Sequence, residues 1–226
     1  MKKVEQKIRI IPKLEIKNDY LIKGIKFEGL RKIGDPVLFA KKYYNDGADQ
    51  INIIDIVASL YGRSQITEIL YETTRDVFIP LTAGGGIRNI DDVHQLLRSG
   101  ADKVAINTAA VRNPELISEV ASTYGNQCMV LSIEAKKRSS SSWEIYTECG
   151  RESTGIEVSE WAKKAELLGA GEILLTSIDC EGTRKGFDLD LMKCITSEVS
   201  IPVIASGGFG NISHIKPVLN TGVDAI

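Results

Sequence analysis

The sequence predicts an α/β protein folded as a single (β/α)8 barrel, or TIM barrel, with a twofold half-barrel repeat. Three observations predict it: strand and helix patterns alternate along the chain, the second half repeats the first, and glycine-rich turns follow two predicted strands. A length of 226 residues with 43% hydrophobic residues is enough for one large core. We therefore expect one domain over residues 1–226.

Short β-branched runs alternate with amphipathic helical patterns. The strands are predicted at Ile8–Leu14, Gln50–Asp55, Ile79–Ala83, Lys103–Asn107, Cys128–Ile133, Glu172–Ser177 and Ile201–Ser206. The helices are predicted at Asp35–Asp46, Ser64–Val77, Ile90–Ser99, Asn113–Tyr124, Glu157–Leu168, Asp188–Val199 and Asn211–Asn220. This order is typical of a parallel sheet. A doubly wound open sheet is the alternative, but the GxGxxG opening common in such folds is missing.

The two halves of the chain match at a spacing of 122 residues (201 − 79), since Ile79–Val104 aligns without a gap with Ile201–Ile226. A spacing of 119 (133 − 14) aligns Leu14–Lys17 with Ile133–Lys136. Doubling of a unit of four strands explains this pattern and predicts sites in pairs. Because Gly222–Ile226 matches only the entry to the fourth strand, we expect the eighth strand to be cut short, without its helix.

Composition narrows the classes of function. A net charge of −2 gives no broad field for nucleic acid or a membrane surface. No apolar run is long enough for a signal peptide or a membrane span, so a cytoplasmic protein is expected. The four cysteines lack the spacing of metal ligands and are expected to be free thiols.

Two loops depart from the regular alternation. Ile16–Gly34 is long and rich in lysine and glycine, which suggests a mobile lid. Lys136–Glu152 contains a serine run followed by the alternating segment Trp143–Thr147, which predicts a small hairpin extension.

Glycine-rich turns after the third and seventh strands predict paired phosphate sites. In such turns backbone N–H groups approach an anion closely, and the following helix N-terminus favours negative charge. Many such turns are only tight turns, but two matching ones half a barrel apart favour a ligand with a phosphate at each end. The candidate residues are Gly85, Gly86, Ser206, Gly207 and Gly208, with Asn107 and Thr108 after the fourth strand.

Two acids end equivalent strands on opposite sides of the predicted barrel mouth. Opposed carboxylates at Glu15 and Glu134 suit general acid/base catalysis. The alternative is a pair neutralised by Lys17 and Lys136. Further acids on this rim are Asp55 and, after the sixth strand, Asp179 or Glu181. A metal site is not expected, because no histidine accompanies these carboxylates.

At the opposite end, the strands begin with a ring of polar residues. Its members are Arg9, Gln50, Lys103 and Glu172. From these residues alone, we expect the ring to be a salt-bridged plug that closes the N-terminal end of the core.

These segments together closely resemble the cyclase subunit of imidazole glycerol phosphate synthase, over essentially the whole chain. The matching segments are Arg9–Pro12, Leu14–Lys17, Lys23–Gly24, Gly34–Pro36, Ile79–Ile87, Gly100–Val104, Ile106–Ala109, Gly169–Ser177 and Ile201–Gly208. The sugar-phosphate isomerase of the same pathway shares the twofold repeat but fits Lys23–Gly24 and Gly169–Ser177 less well.

The resemblance implies a lyase-type cyclase of histidine biosynthesis that works with a class I glutaminase. The glutaminase docks on the N-terminal face, where Asp102 and Gln127 are the interface candidates. The resemblance implies that the polar ring is a gate rather than a plug. Ammonia passes through this gate and along the barrel axis to a bisphosphate ribonucleotide. Two strand-end acids convert it to imidazole glycerol phosphate and an aminoimidazole carboxamide ribotide, without metal or organic cofactor. Lys23, Glu181 and Gly182 fall at substrate-binding positions of the family.

Several positions depart from the family pattern. Glu15, Glu134 and Glu181 stand where the family has aspartate, and Gln50 replaces a glutamate of the gate. A shift of about an ångström in a catalytic group can cost roughly a hundredfold in rate. The segments Pro12–Lys17 and Val57–Arg63 resemble a branch found with surface-polysaccharide enzymes. That branch implies an alternative in which the chain docks a glutaminase and delivers ammonia for amidination of a sugar.

Overall fold

The computed structural model describes residues 8–58 and 66–226 of the chain. Most of the segment Val57–Arg63 and the start of the helix predicted at Ser64–Val77 lie outside the described residues. The strands are β1 (Lys13–Lys17), β2 (Tyr20–Ile25), β3 (Glu28–Gly34), β4 (Ile51–Asp55), β5 (Leu81–Gly84), β6 (Lys103–Ile106), β7 (Met129–Ser139), β8 (Ser142–Thr147), β9 (Glu152–Glu157), β10 (Glu172–Ser177) and β11 (Val203–Ser206).

Helices follow most of the parallel strands. They are α1 (Pro36–Asn45), α2 (Ile66–Thr73), α3 (Ile90–Arg98), α4 (Thr108–Arg112), α5 (Glu115–Tyr124), α6 (Val158–Leu167), α7 (Leu189–Thr196) and α8 (Ile215–Leu219), with 3₁₀ turns at Asn126–Cys128 and Ile212–His214. Side-chain caps fix several of the helix starts. Asp35, for example, accepts hydrogen bonds from the backbone N–H groups of Val37 (2.8 Å) and Leu38 (3.0 Å), just before Pro36 opens α1.

The parallel strands lie side by side in chain order, as the alternation predicts. The order is β1, β4, β5, β6, β7, β10, β11. Residues 224–226 connect the two ends of this row: Ala225 bridges both Arg9 and Ile204, and the N–H of Ile11 donates to the carbonyl of Ile226 at 2.8 Å. The last three residues therefore occupy the place of an eighth strand.

The first strand begins later than predicted. Residues Lys13–Ile16 pair in parallel register with Asn52–Asp55, so β1 runs from Lys13 to Lys17 rather than from Ile8 to Leu14. Before β1, the carbonyl groups of Ile10 and Pro12 accept hydrogen bonds from the N–H groups of Asp49 and Asn52, both at 3.0 Å. The backbone N–H groups of Arg9 and Ile11, in contrast, donate to residues 224–226.

The segment Ile16–Gly34, predicted to be a mobile lid, is not an irregular loop. The segment forms the antiparallel hairpin of β2 and β3 on the edge of β1. Its turn is held in place, because the N–H of Lys26 donates to the carbonyl of Glu181 at 2.9 Å. The prediction of a hairpin after the fifth parallel strand is confirmed by β7, β8 and β9, which pair antiparallel.

Most of the buried apolar side chains lie in two clusters. A large cluster lies between the strands and the helices, which explains the amphipathic helix patterns. A smaller buried cluster joins one residue from each of several strands. Its members are Ile11, Ala105, Val130, Leu174, Ile204 and Ala225. They come from β6, β7, β10, β11 and the two segments that join β11 to β1, so this cluster fills the inside of the curled sheet. No helix among the described residues is long and apolar enough to cross a membrane.

Candidate functional site

The carboxyl ends of the parallel strands carry the predicted acids. Glu15 lies in β1, Glu134 lies in β7, and Glu181 follows β10. Because β1 and β7 are separated by three strands on one side, their acids face each other across the mouth. Side chains alternate along a strand, so Ile11, Lys13 and Glu15 point to the same interior side. Glu15 and Glu181 are buried there, 2% and 3% exposed.

Two lysines hold these two buried acids. Lys13 Nζ lies 3.0 Å from Glu15 Oε1 and 3.5 Å from Glu181 Oε2. Lys23 Nζ lies 3.0 Å from Glu15 Oε2 and also contacts Glu181 Oε1. We call these four residues the charge cluster. The lysines that neutralise Glu15 are thus Lys13 and Lys23, not Lys17, and Lys136 lies over the ring of Tyr146 at 5.1 Å.

The electrostatics of the charge cluster favour ionised groups. Burial lowers the pKa of Lys13, but the charges of Glu15 and Glu181 outweigh burial and raise this pKa above its ordinary value. Burial likewise raises the pKa of Glu181, but Lys13 and Lys23 outweigh it and hold this pKa below its ordinary value. The cluster contains two acids and two bases and is therefore neutral overall.

Glu134 lies in a different environment from Glu15. Its Oε2 accepts a hydrogen bond from the backbone N–H of Gly150 at 2.8 Å, and no lysine forms an ion pair with it among the described residues. Burial raises the pKa of Glu134 from 4.5 to about 7, against the opposing effects of the Gly150 N–H and the charge of Lys13. This carboxyl group therefore exchanges a proton near neutral pH.

The turn between β8 and β9 lies over the same mouth. We call Glu148, Cys149 and Gly150 the mouth turn. The N–H of Glu148 donates to Thr108 Oγ1 at 3.1 Å, and the thiol of Cys149 donates to the carbonyl of Ile56 at 2.6 Å. Burial raises the pKa of the Cys149 thiol, so this group is a hydrogen-bond donor rather than a thiolate. With the Gly150 contact, the turn connects the carboxyl ends of β4, β6 and β7.

The residues predicted to bind the substrate or its phosphates separate into two groups. One group lines a cavity of about 1510 Å³ together with Lys23; its members are Glu181, Gly182, Ser206, Gly207 and Gly208. The other group does not line this cavity; its members are Asp55, Gly85, Gly86, Asn107 and Thr108.

The second group contacts the backbone around β4 and the mouth turn. Asp55 accepts from the N–H groups of Val57 and Ala58, both at 3.0 Å, and so closes the turn after β4. Asn107 donates to the carbonyl of Tyr146 at 3.1 Å, while its own Oδ1 is a buried acceptor without a hydrogen-bond partner among the residues that the structure describes. An unmatched acceptor of this kind suits a ligand or a bound water molecule.

At the N-terminal ends of the strands, Glu172 joins two cations. Its Oε1 lies 2.5 Å from Arg9 Nη2, and its Oε2 lies 2.7 Å from Lys103 Nζ. Gln50 does not hydrogen-bond to these residues: it donates to Asn52 Oδ1 at 3.0 Å and to Thr82 Oγ1 at 2.8 Å. The predicted ring of four is therefore an ion triad, with Gln50 bonded to the neighbouring strands.

The predicted interface residues lie on the same face as this triad. Arg9, Lys103, Glu172 and Gln127 line a pocket of about 410 Å³ that also includes Asp224. Asp102 is exposed and accepts a hydrogen bond from the N–H of Leu81 at 2.8 Å. Both candidates are thus on the surface around the triad.

Sequence reasoning missed two parts of the site. Lys13 was not predicted to be a site residue. A lysine two residues before Glu15 on a strand must, however, share the interior face of Glu15. No sequence pattern predicted the mouth turn, because its contacts reach residues far away in the chain. No group of three or more His, Cys, Asp or Glu side chains is placed to hold a metal ion in the described part of the chain.

A parallel α/β sheet with acids and glycine turns at the carboxyl ends of its strands is the layout of barrel enzymes. The model of the histidine biosynthesis protein family matches residues 9–226. The imidazole glycerol phosphate synthase subunit HisF of Legionella pneumophila is 59% identical over 92% of this chain and 99% of that protein. The HisF subunit of Streptomyces avermitilis is 48% identical over 97% of this chain and 87% of its own length.

A third relative agrees with these two. The HisF subunit of Lactococcus lactis subsp. cremoris is 55% identical over 93% of this chain and 82% of its own length. The chain therefore belongs to the histidine biosynthesis protein family and, within it, to the cyclase subunits of imidazole glycerol phosphate synthase. The resemblance inferred from the sequence is confirmed.

Proposed function

We propose that the chain is the cyclase subunit of a glutamine-dependent imidazole glycerol phosphate synthase. It would use ammonia to convert a bisphosphate ribonucleotide into imidazole glycerol phosphate and aminoimidazole carboxamide ribotide. The observation that carries this proposal is the pair of opposed strand-end acids in unlike environments. Glu15 is ion-paired with two lysines, whereas the pKa of Glu134 is raised to about 7.

The unlike environments assign different roles to the two acids. Two groups whose surroundings favour opposite protonation states are suited to act as acid and base. Glu134 would deliver a proton as the general acid, and Glu15 would accept one as the general base. The glutamates place their carboxylates one methylene further from the backbone than the aspartates expected at these positions, and the lysines of the charge cluster support the longer side chain at Glu15.

The geometry of the two glycine turns supports a ligand with two phosphates. A Cβ atom on Gly85 would lie 2.0 Å from the carbonyl oxygen of Asp55, and one on Gly207 would lie 2.8 Å from that of Ser177. Asp55 and Ser177 are themselves 122 residues apart (177 − 55), the spacing of the sequence repeat. Both turns thus rest on equivalent strand ends.

The N-terminal face suits a glutaminase partner and ammonia passage. The ion triad of Arg9, Glu172 and Lys103 lies at a surface pocket, and the apolar cluster around Ile11 and Val130 fills the sheet above it. An apolar interior carries neutral ammonia and rejects the ammonium ion, because burying an unpaired charge is costly. Asp102 and Gln127 would contact the glutaminase.

The cyclase activity is tested with the chain supplied with ammonium salt in place of a glutaminase. Loss of the bisphosphate ribonucleotide and formation of imidazole glycerol phosphate are followed. Glu134→Gln and Glu15→Gln are each expected to lower turnover by about 10²- to 10⁴-fold, the usual contribution of a general acid or base. Turnover that survives both substitutions would sink the assignment of the two acids.

The gate is tested by reversing one charge of the triad. Lys103→Glu would place a second acid beside Glu172 and break the triad. We expect glutamine hydrolysis by the partner to continue while less of its ammonia reaches the product. Lys163→Glu, on an exposed lysine of α6, is the control. Unchanged coupling in Lys103→Glu would count against a gate.

One observation favours a second candidate, a chain that docks a glutaminase and passes ammonia to a sugar. Gln50 bonds to Asn52 and Thr82 instead of joining the triad, so an uncharged residue stands beside the entrance of the proposed ammonia passage. The two candidates differ in the ammonium assay. Activation of a glutaminase without turnover of the bisphosphate would favour the second.

A further inference from the structure

We propose that Lys13 is a positioning residue: its buried ammonium group holds Glu15 and Glu181 in place and remains their counter-ion when Lys23 turns to the substrate. The proposal rests on the acid/base function proposed above for Glu15 and Glu134. It assigns a role to a residue that is not among the predicted site residues.

The position of Lys13 follows from strand geometry. Lys13 lies on the interior side of β1 between Ile11, which belongs to the apolar cluster, and Glu15 at the mouth. Its ammonium is 3.0 Å from Glu15, 3.5 Å from Glu181 and 5.6 Å from the centre of the Phe27 ring. A lysine held by two carboxylates and an aromatic ring has little freedom to leave.

The two lysines of the charge cluster differ in exposure. The side chain of Lys23 is 39% exposed, whereas that of Lys13 is 14% exposed. Both lysines line the large cavity, as do Gly207 and Gly208. Lys23 can therefore rotate to a phosphate in this cavity. The remaining two carboxylates would then repel each other, unless a second cation stays between them.

Lys13 is that second cation. The charged groups facing it are Glu15 on its own strand, Lys23 on β2, Glu134 on β7 and Glu181 after β10. The charge of Lys13 also lowers the pKa of Glu134, so one ammonium group acts on both proposed catalytic acids. Its removal is expected to make Glu134 harder to ionise.

The test is a titration that does not depend on turnover. Protein labelled with ¹³C at the glutamate side-chain carboxyl carbon is titrated by NMR, and the Glu134 signal is assigned by its loss in Glu134→Gln. In the unsubstituted chain this signal should titrate near pH 7. In Lys13→Met it should titrate about one unit higher, because an opposite charge has been removed. Lys13→Arg, which keeps the charge, should restore the original titration.

Two further variants separate charge from folding. Lys23→Met removes the exposed lysine and should leave the Glu134 titration in place, since Lys23 is not among the groups that shift it. If Lys13→Met does not fold, Lys13→Met combined with Glu181→Gln keeps the cluster neutral and should show the same upward shift. An unshifted Glu134 signal in a folded Lys13 variant, or a Lys13→Arg variant that behaves like Lys13→Met, would overturn the proposal.

The pH profile of ammonium-dependent turnover is the functional readout. Lys13→Met should move the alkaline limb of the profile, which protonated Glu134 sets as the proposed general acid, about one unit to higher pH, whereas a merely structural role would lower turnover equally at every pH. A chain that shows the NMR shift but makes no imidazole glycerol phosphate would support the role of Lys13 and count against the proposed cyclase function.

Discussion

The two matching segments at 79–104 and 201–226 share their supporting contacts but differ in their chemistry. Asp102 accepts from the N–H of Leu81 at 2.8 Å, and Asp224, at the equivalent position, accepts from the N–H of Val203 at 2.9 Å. Their glycine turns rest on equivalent strand ends. The strand-end acids of the two halves, in contrast, have different partners: lysines for Glu15 and a backbone N–H for Glu134.

The difference indicates which contacts a repeated unit must keep. Contacts that fix the backbone are constrained by local geometry, so they recur at the same spacing. The partners of Glu15 are Lys13 on β1 and Lys23 on β2, and the partner of Glu134 is Gly150 of the mouth turn; all three lie outside the matching segments of the sequence. A symmetric framework therefore carries an asymmetric site.

The largest expected effect comes from the glycine turns. Gly85→Ala should lower the free energy of unfolding by about 3–5 kcal/mol, because alanine at φ +97° is strained and its Cβ would lie 2.0 Å from a backbone oxygen. Gly207→Ala, at 2.8 Å, should cost less. Gly47→Ala is the control for strain alone, since its φ is +92° with no atom within 4 Å. Denaturant unfolding measures the free energy of unfolding of all three variants. Equal losses would show that the close approach to a backbone oxygen adds nothing to the strain of a positive φ.

A smaller effect should appear in the pH dependence of stability. The pKa of Glu134 is raised from 4.5 to about 7 in the folded chain, so the folded protein binds more protons than the unfolded chain between these values. Its stabilising contribution is present below about pH 4.5 and is lost as pH rises through 7. The change amounts to up to about 3 kcal/mol.

Glu134→Gln removes this titration. The free energy of unfolding of the variant, relative to the unsubstituted chain, should therefore rise between about pH 5 and about pH 8. Urea unfolding at several pH values measures this difference. A difference that stays constant over this range would contradict the raised pKa.

The smallest expected effect concerns two equivalent helix caps. Asn89 accepts from the N–H of Asp92 at 3.0 Å, and Asn211 accepts from the N–H of Ser213 at 2.9 Å. Asn89→Ala and Asn211→Ala should each lower the free energy of unfolding by about 1 kcal/mol. Asn89→Asp and Asn211→Asp keep the acceptor and serve as controls. A loss at only one of the two sites would show that the halves differ in their framework as well.

Much of the fold was predictable from the sequence. The alternation of strands and helices predicted the order of the parallel strands, and the break in alternation after the fifth one predicted the hairpin of β8 and β9. The hairpin of β2 and β3 was not predicted, because its lysines and glycines hide the alternation and its pairing depends on the edge of β1. The late start of β1 escaped prediction for a similar reason, since its register is set by β4.

By itself, the sequence determined the α/β class, the paired glycine turns, the strand-end acids and the family. These features depend on local spacing, and local spacing is readable along one chain. The tertiary structure decided which charges meet: Lys13 and Lys23 with Glu15 and Glu181, Gly150 with Glu134, and Glu172 with Arg9 and Lys103. Most of these contacts join residues far apart in the chain, and only the folded packing brings them within reach of a hydrogen bond.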